Sequence, residues 1–329
     1  MYNEIKLEKT LYNISGKSFT QALSELDPDD IYKGTELEGL DAYERQLKRF
    51  DIKINGSDCD TVDRFFATAD SAILFPEFVR RQVLLGFNEA FSLGQFAASI
   101  VVNDDSCFSS LSVTVNTGGN TVAEGTNLPT ITVKTKASDS ASKIGRVMEI
   151  TYEVLRKKRI DTFAVILKQL GATIARSAND KLTTDVIDSV TTEVETTKQT
   201  FNYSTLVELW QSMEGFEMDT ILCSKERFGK ILQFDEMKNL VSTGISAENS
   251  TIVTPFGVTV KAVAGMTSKK IIGLSSKYAY EIVYGSDMVV DIGKLISTQY
   301  DQIGSSIMLG ISRFNDNAVG IISITDDEE

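Results

Sequence analysis

The longest regular pattern in the sequence is an apolar stripe with helical spacing that begins near Asp161. The stripe runs through Phe163, Leu167, Leu170, Ile174, Ala178, Leu182 and Val186. Asp161 suits the N-cap position because its carboxylate can accept a hydrogen bond from a free backbone N–H group. A continuous helix to Val190 would have about 29 residues and a length of roughly 44 Å. We expect this helix to be the structural axis of the fold.

A second helical pattern lies in SAILFPEFVRRQVLLGFNEAF. Pro76 suits a first helical turn, and apolar residues follow it along one side, at Phe78, Val79, Val83, Leu84 and Phe87. After Gly94 the helical spacing ends. The sequence therefore predicts one buried helix before the chain changes its pattern.

The first seventy residues contain one helical pattern, TELEGLDAYERQLKRF. It has Thr35 as a candidate cap and apolar positions at Leu37, Leu40, Leu47 and Phe50. Asp41 with Arg45, and Glu44 with Lys48, would form favourable pairs one turn apart on the outer side. We interpret this region as an extended arm that carries one helix and depends on other surfaces for burial.

In residues 110–152 the helical spacing is replaced by a strand pattern, in which every second residue lies on the same face. Thr, Val and Ser alternate on both sides of a middle that contains GGN and EGTNLP, and this pattern predicts two long strands joined as a β-arm. A two-stranded ribbon by itself is only marginally stable in water. We therefore expect the β-arm to lie on a neighbouring molecule.

From Phe201 onwards, short helical and strand patterns alternate. STLVELWQSM and KERFGKILQF read as helices; MDTILCS, GVTVKAVAGM, KKIIGLS and YAYEIVYG read as strands. The last forty residues read as strands followed by an acidic tail. Within this region we expect Trp210 to belong to the core, and Cys223 to be a small buried apolar residue in its strand.

Composition places the chain among soluble globular proteins. It has 329 residues, of which 42% are hydrophobic and 24% charged, and its formal net charge is −13. Such an acidic chain does not gather nucleic acid by general electrostatics, because binders of that kind need clustered positive charge. The three cysteines are far apart and no apolar run reaches about 20 residues, so we expect a soluble intracellular product without disulfides.

The sequence contains no histidine. This excludes His-dependent catalytic triads, HExxH zinc sites and histidine general bases. Neither GxGxxG nor GxxxxGK[ST] occurs, so the common dinucleotide and phosphate cradles are missing as well. Because 46 acidic residues bring some carboxylates together by chance, no catalytic pair can be chosen. We expect no enzyme activity, no cofactor and no metal, and keep a carboxylate-dependent enzyme as a remote alternative.

The densest positive cluster is Arg156, Lys157, Lys158 and Arg159, between a predicted strand and the long helix. It can be a solvated face, a nucleic-acid contact or an assembly surface. The nucleic-acid interpretation is weak because no aromatic residues are interleaved. An assembly surface would pair with acidic segments of a neighbouring copy, and the candidate acids are Asp29, Asp30, Glu36 and Glu124.

The order of these elements resembles the major capsid proteins of tailed bacteriophages, which have the Hong Kong 97 type fold. The resemblance covers most of the chain from about Ser71. Its motifs are Ala123-Glu124-Gly125 and Pro129 in the β-arm, Ile150-Thr151-Tyr152-Glu153 before the long helix, Ile174-Ala175-Arg176 and Asn179-Asp180 within it, and Lys225 to Leu232 and GVTVKAVAG after it. The first seventy residues match no pattern of this family.

The resemblance implies an α+β fold with five parts in chain order. These are an N-terminal arm with leading helices (1–95), an extended β-hairpin arm (96–150), a spine helix in a peripheral domain (151–200), an axial domain (201–290), and C-terminal strands that return to the peripheral domain (291–329).

The function implied by the resemblance is a shell protein that assembles into hexamers and pentamers of an icosahedral phage head around double-stranded DNA. The implied partners are further copies of the chain, a scaffold, a portal, and decoration or completion proteins. DNA would be enclosed without sequence-specific binding, and no membrane would be involved. Assembly would occur in the host cytoplasm and the product would be the virion. An encapsulin-like nanocompartment shell is the alternative with the same fold.

Two properties of some family members are not expected here. The N-terminal region is too short for a scaffolding segment that a protease removes, so we expect a separate scaffold. Some members also form a Lys–Asn isopeptide crosslink. Lys134 and Lys136 lie in the β-arm, and Asn315 and Asn317 lie near the C-terminus, but no feature selects a pair. We therefore predict no covalent crosslinks.

Overall fold

The structure is a computed structural model that describes residues 5–325 except 15, 104–106, 116–120, 123, 125–127, 129–130, 214 and 243–249. Its α-helices are α1 (Phe19–Leu26), α2 (Ala42–Arg49), α3 (Ala69–Ala72), α4 (Leu74–Ala90), α5 (Tyr152–Lys157), α6 (Ile160–Ser189), α7 (Tyr203–Ser212), α8 (Lys225–Ile231) and α9 (Asp235–Ser242). Its strands are β1 (Ser99–Val102), β2 (Cys107–Val115), β3 (Ile131–Ser140), β4 (Ser142–Thr151), β5 (Glu193–Thr197), β6 (Thr220–Cys223), β7 (Thr251–Val253), β8 (Thr259–Ala262), β9 (Lys270–Leu274), β10 (Tyr280–Leu295), β11 (Tyr300–Arg313) and β12 (Val319–Thr325).

The chain divides into two compact units, each built from three separate segments. Unit 1 contains the described residues of Met1–Glu89, Gly145–Ile174 and Met288–Ser306. Unit 2 contains those of Ala90–Ile144, Ala175–Asp287 and Ile307–Glu329. Neither unit is continuous in sequence.

The N-terminal region is folded, so the prediction of an extended arm with one helix is wrong. It contains both α1 and α2, and it buries Leu23, Tyr43 and Phe65 in unit 1. The helix predicted to be capped by Thr35 is α2, which begins at Ala42. Its cap is Asp41, whose side chain accepts a hydrogen bond from Glu44 N–H. The predicted pair of Asp41 with Arg45 on the outer side is also wrong. The side chain of Arg45 is only 1% exposed and pairs with buried Asp27.

The long helix is confirmed as α6, which has 30 residues. Its predicted stripe is buried except at Leu170, which is half-buried. The helix begins at Ile160, so Asp161 lies in the first turn and is not the cap. Within unit 1 it crosses α4 at glycines, since a Cβ on Gly171 would clash with the carbonyl of Val83 and one on Gly86 would clash with that of Lys168.

The β-arm is confirmed as a two-stranded antiparallel sheet of β2 and β3. The predicted second long strand is divided at Ala141: β3 pairs with β2, while β4 belongs to a four-stranded sheet of order β1-β10-β11-β4. Ala123, Gly125 and Pro129 of the β-arm motif lie outside the described residues.

Unit 2 contains a six-stranded sheet of order β5-β12-β9-β6-β8-β7. Helices α7, α8 and α9 cover one face, where Leu209, Ile231 and Met237 form a core with Ile221 and Cys223 of β6. Leu222 points to the opposite face and is also buried. The sheet is therefore covered on both faces, which agrees with its continuous apolar strand sequences.

Candidate assembly surfaces

The basic cluster, Arg156 to Arg159, lies on the surface of unit 1 where α5 ends and α6 begins. Arg156 and Lys157 form the last turn of α5, and Lys158 and Arg159 are the extended link between the two helices. The link is fixed because Val62 N–H donates to the carbonyl of Lys158. All four side chains are exposed. Cations at the C-terminal end of α5 also interact favourably with its helix dipole.

Two cations of this cluster are engaged within the chain and two are not. Arg159 pairs with Asp161 at 2.7 Å, and Arg156 lies over the ring of Phe66. The side chains of Lys157 and Lys158 form no hydrogen bond or ion pair with any described residue. The two lysines are therefore the part of the cluster that is available to a partner.

The acidic candidates differ in how far their charge is already used. Asp29 pairs with Arg45 at 2.8 Å, and Asp30 pairs with Lys33 at 2.6 Å. Glu36 and Glu124 are exposed and have no ion-pair partner among the residues that the structure describes. Among the described residues of unit 1, no ion pair joins Asp29, Asp30 or Glu36 to the basic cluster, so we expect any pairing with it to be between copies.

One face of the β2–β3 ribbon is apolar and uncovered. Val113 lies opposite Val133, and Leu111 and Ile131 occupy the same face two positions away along their strands. The side chains of Ile131 and Val133 are 66% and 57% exposed. Thr132, on the other face, is polar. An amphipathic ribbon of this kind has an apolar face that the described part of unit 2 leaves open to solvent.

The prediction that Trp210 belongs to the core is wrong, because it is 47% exposed. Its ring lies 6.4 Å from that of Phe256, and the ring of Tyr203 lies 5.8 Å from Phe256 on edge. We call Tyr203, Trp210 and Phe256 the aromatic patch. The helical spacing contained this information, since Leu206 and Leu209 face the core and Trp210 is rotated onto the Tyr203 side of α7.

A cavity of about 410 Å³ lies in unit 2 at the end of α6. Its charged lining residues include Lys181, Asp185 and Asp188. Lys181 already pairs with Asp185, so the cavity does not provide a convergent pair of free acids. Among the described residues no group of three or more Cys, Asp or Glu side chains is placed to hold a metal ion.

Cys223 is confirmed as a small buried apolar residue. It is fully buried in β6, and burial raises the pKa of its thiol to about 12. A thiol with so high a pKa is not a nucleophile near neutral pH.

No described helix is long and apolar enough to span a membrane.

A family model described as phage capsid protein matches residues 136–290, slightly less than half of the chain. The matched segment runs from the middle of β3 through the long helix α6 and strands β5 to β9 into β10, and it leaves out β12 of the six-stranded sheet. No curated protein sequence matches the chain significantly.

Solved structures of capsid-type shells share the fold at low sequence identity. A virus-like particle protein from Pyrococcus furiosus is 12% identical with a TM-score of 0.56, over 75% of this chain and 98% of that chain. The capsid protein of a native GTA particle is 14% identical with a TM-score of 0.54, over 72% and 90%. The SrpI encapsulin of Synechococcus elongatus is 10% identical with a TM-score of 0.51, over 71% and 88%. These findings confirm the resemblance to phage major capsid proteins and the Hong Kong 97-like capsid fold.

Proposed function

We propose that this chain is the major capsid protein of a tailed bacteriophage and assembles into the pentamers and hexamers of an icosahedral head. The observation that carries the proposal is the phage capsid family match over residues 136–290, which lies in a chain with a capsid-type fold. The uncovered apolar face of the β2–β3 ribbon supports it, because burial of that face needs another molecule. The role is structural, and the proposal includes no catalysis.

The parts of the chain take the roles that the resemblance assigns. In this proposal residues 96–150 are the extended arm, 151–200 the spine of the peripheral domain and 201–290 the axial domain, while 291–329 return to the peripheral domain. Residues 1–95 form the N-terminal part. The ribbon of each copy lies on a neighbour, so that its apolar face is removed from water. This burial favours assembly by about 25 cal/mol for each Å² of apolar surface buried.

The basic cluster contributes to the contacts between copies. Lys157 and Lys158 pair with acids of a neighbouring copy. Glu36 and Glu124 are favoured over Asp29 and Asp30 because they have no ion-pair partner among the described residues. Charge pairs of this kind fix the register of a contact and reject wrong partners more than they add affinity.

The enclosed molecule is double-stranded DNA, held by confinement and without sequence-specific binding. The net charge of −13 is compatible with this, because a strongly basic inner surface would hold DNA in place while it is being packed. A scaffold, a portal, and decoration or completion proteins are the further partners. Assembly takes place in the host cytoplasm, the mature location is the virion, and no membrane is involved.

The alternative is an encapsulin-like shell that encloses a cargo protein. The observation that supports this alternative is that the holo-SrpI encapsulin complex shares the fold. The DNA-filled head is preferred because the family match is to phage capsid proteins.

Electron microscopy of the purified protein tests the proposal. Closed particles, or rings of five and six subunits, are the expected result after expression with or without a scaffold gene. A protein that remains monomeric under all conditions would rule the proposal out. Particles from infected cells should contain double-stranded DNA, whereas a co-purified enzyme without nucleic acid would establish the encapsulin alternative.

A further inference from the structure

Arg227, on helix α8 of unit 2, is a buried arginine whose charge has no counter-ion among the described residues. Its side chain is completely buried. Nε donates to the carbonyl of Ser268 at 2.6 Å, but Nη1 and Nη2 have no hydrogen-bond partner within the described part of the chain. The guanidinium carbon lies 5.9 Å from the centre of the Phe201 ring. A buried guanidinium keeps its charge and has lost its hydration, so an acceptor group is expected beside it.

The last described strand of the chain, β12, ends next to this guanidinium. In the antiparallel pairing of β9 with β12, Ile324 N–H donates to the carbonyl of Lys269 at 2.8 Å. The same register places Thr325 opposite Ser268, the residue that already accepts from Arg227. The Cα atoms of opposed residues in such a sheet are about 5 Å apart. The chain therefore leaves the sheet within reach of Nη1 and Nη2.

The next residue in the sequence is acidic, and the strand pattern assigns it to the face that carries the guanidinium. This residue, Asp326, lies outside the described residues. Ile322 and Ile324 belong to the core on the face of the sheet that α7, α8 and α9 cover. Because every second side chain of a strand lies on the same face, one further residue in register would direct Asp326 towards Arg227. Asp327 would fall on the opposite face.

We propose that Arg227 is a binding site for the carboxylate of Asp326, and that this pair fastens the end of β12 into unit 2. Nη1 and Nη2 are the donors, and their planar arrangement matches the two oxygens of a carboxylate. Because β12 lies between β5 and β9 in the six-stranded sheet, the pair holds a strand on which both of its neighbours depend. The acid that follows β12 thus has a structural role in the fold.

The test compares Asp326→Asn with Asp327→Asn in the 329-residue chain. Asp326→Asn should lower the melting temperature by about 4 °C or more, because it leaves Arg227 buried without its anion. Asp327→Asn removes the same charge from the adjacent position on the other face and should change the melting temperature by less than about 1 °C. Differential scanning calorimetry at pH 7 measures both.

A double-mutant cycle separates a direct pair from two independent effects. Arg227→Met should lower the melting temperature by itself, and adding Asp326→Asn to it should cause almost no further loss, because the partner has gone. Hydrogen exchange gives a second readout that a general loss of stability would not reproduce. Either single variant should speed the exchange of backbone amides at the end of β12 by roughly tenfold, while those of β6 exchange as in the wild type.

Two results would overturn the assigned pair. The first is that Asp326→Asn leaves the melting temperature and the exchange at the end of β12 unchanged, or that its effect simply adds to that of Arg227→Met. The second is that Glu248→Gln, at another acid outside the described residues, reproduces the loss in place of Asp326→Asn. None of these measurements requires assembly, so a failure to form shells would overturn the proposed function and leave this pair in place.

Discussion

Glu77 carries a buried carboxylate that pairs with two arginines in unit 1. It is completely buried in α4, where Arg80 and Arg81 each donate to it at 2.9 Å and Thr20 donates at 2.7 Å. Burial alone would raise the pKa of its carboxyl, but these hydrogen bonds and charges lower it below 4.5. Because the folded pKa is depressed, the stabilisation is present above pH 4.5 and is lost as the pH falls further.

Glu77→Gln should therefore lower the free energy of unfolding at pH 7 by about 3 kcal/mol, because it leaves two partly buried arginines without their anion. The deficit should shrink as the pH falls below 4.5 towards the depressed pKa of the wild-type carboxyl, which then becomes protonated itself. Urea unfolding at pH 7 and at a pH below 4.5 measures this. Glu89→Gln, at the exposed end of the same helix, is the control and should cost less than about 0.5 kcal/mol. An equal deficit at both pH values would contradict the assignment.

The adjacent residues Lys157 and Lys158 allow a test of the basic cluster that does not disturb the fold. Reversing Arg159 would also break its internal contacts with Asp161 and the carbonyl of Gly56, so the four-residue reversal is ambiguous. Lys157→Glu with Lys158→Glu should block particle formation and leave the unfolding midpoint within about 2 °C. The matched control is Lys157→Arg with Lys158→Arg. If electron microscopy shows normal particles from the acidic variant, the cluster is only a solvated face and not an assembly contact.

Sequence reasoning was least reliable for individual side chains. Trp210 was expected in the core, although the spacing of Leu206 and Leu209 turns it outward. Arg45 was placed on an outer face as a partner of Asp41, whereas it is buried against Asp27 and Asp41 pairs with Arg81. Long-range ion pairs depend on which helices meet, and local spacing does not contain that information.

At the level of the elements, the crossing of α4 and α6 depends on two glycines. The Cα atoms of Gly171 and Gly86 let the helix backbones approach each other closely, and Phe87 N would lie 2.7 Å from a Cβ at position 171. Gly171→Ala should therefore lower the free energy of unfolding by at least about 2 kcal/mol, since the clash is with backbone and cannot be relieved by rotating a side chain.

The control for this substitution is Gly229→Ala. Gly229 lies within α8, and no heavy atom lies within 4 Å of a Cβ at this position. The substitution should leave stability unchanged or increase it by up to about 1 kcal/mol, because alanine has the higher helix propensity. If both glycines tolerate alanine equally in chemical denaturation, close approach does not determine the crossing.

The β2–β3 ribbon gives a prediction for assembly at the same level. Val133 is exposed, so Val133→Ser should change the stability of the single subunit by less than about 0.5 kcal/mol. It should still raise the concentration needed for assembly several-fold, because less apolar surface is buried between copies. Thr132→Ala, on the polar face of the same strand, should assemble normally. Light scattering against concentration compares the two variants.

Elements with strong periodicity were predicted well. The stripe of α6, the helices α4 and α7 and the ribbon were found because their apolar positions repeat over several turns or residues. The glycine crossing was missed, since an isolated glycine in a helical pattern has no distinguishing signal. The division between β3 and β4 at Ala141 was also missed, because the alternation continues through it while the pairing partner changes.

For the molecule as a whole, chain order carried more information than any single motif. The order of ribbon, spine helix and compact α/β region pointed to the capsid-type fold that the family match and the structural likenesses confirm. The two compact units are each assembled from three separated segments, which no composition boundary in the sequence marks. Residues 5–70 also fold together within unit 1, although their pattern had suggested an extended arm.

The net charge of −13 gives the last prediction, which concerns every copy in an assembly. Acidic subunits repel one another over about one Debye length, which falls from ~10 Å at 0.1 M salt to ~3 Å at 1 M. Apolar contacts of the ribbon are not screened, and ion pairs enclosed in a contact are screened much less than exposed charges. Raising NaCl from about 0.05 M to about 0.5 M should therefore lower the concentration at which the wild-type protein assembles, by roughly tenfold in light scattering. A requirement for more protein at high salt would instead mean that exposed ion pairs, and not apolar contacts, hold the copies together.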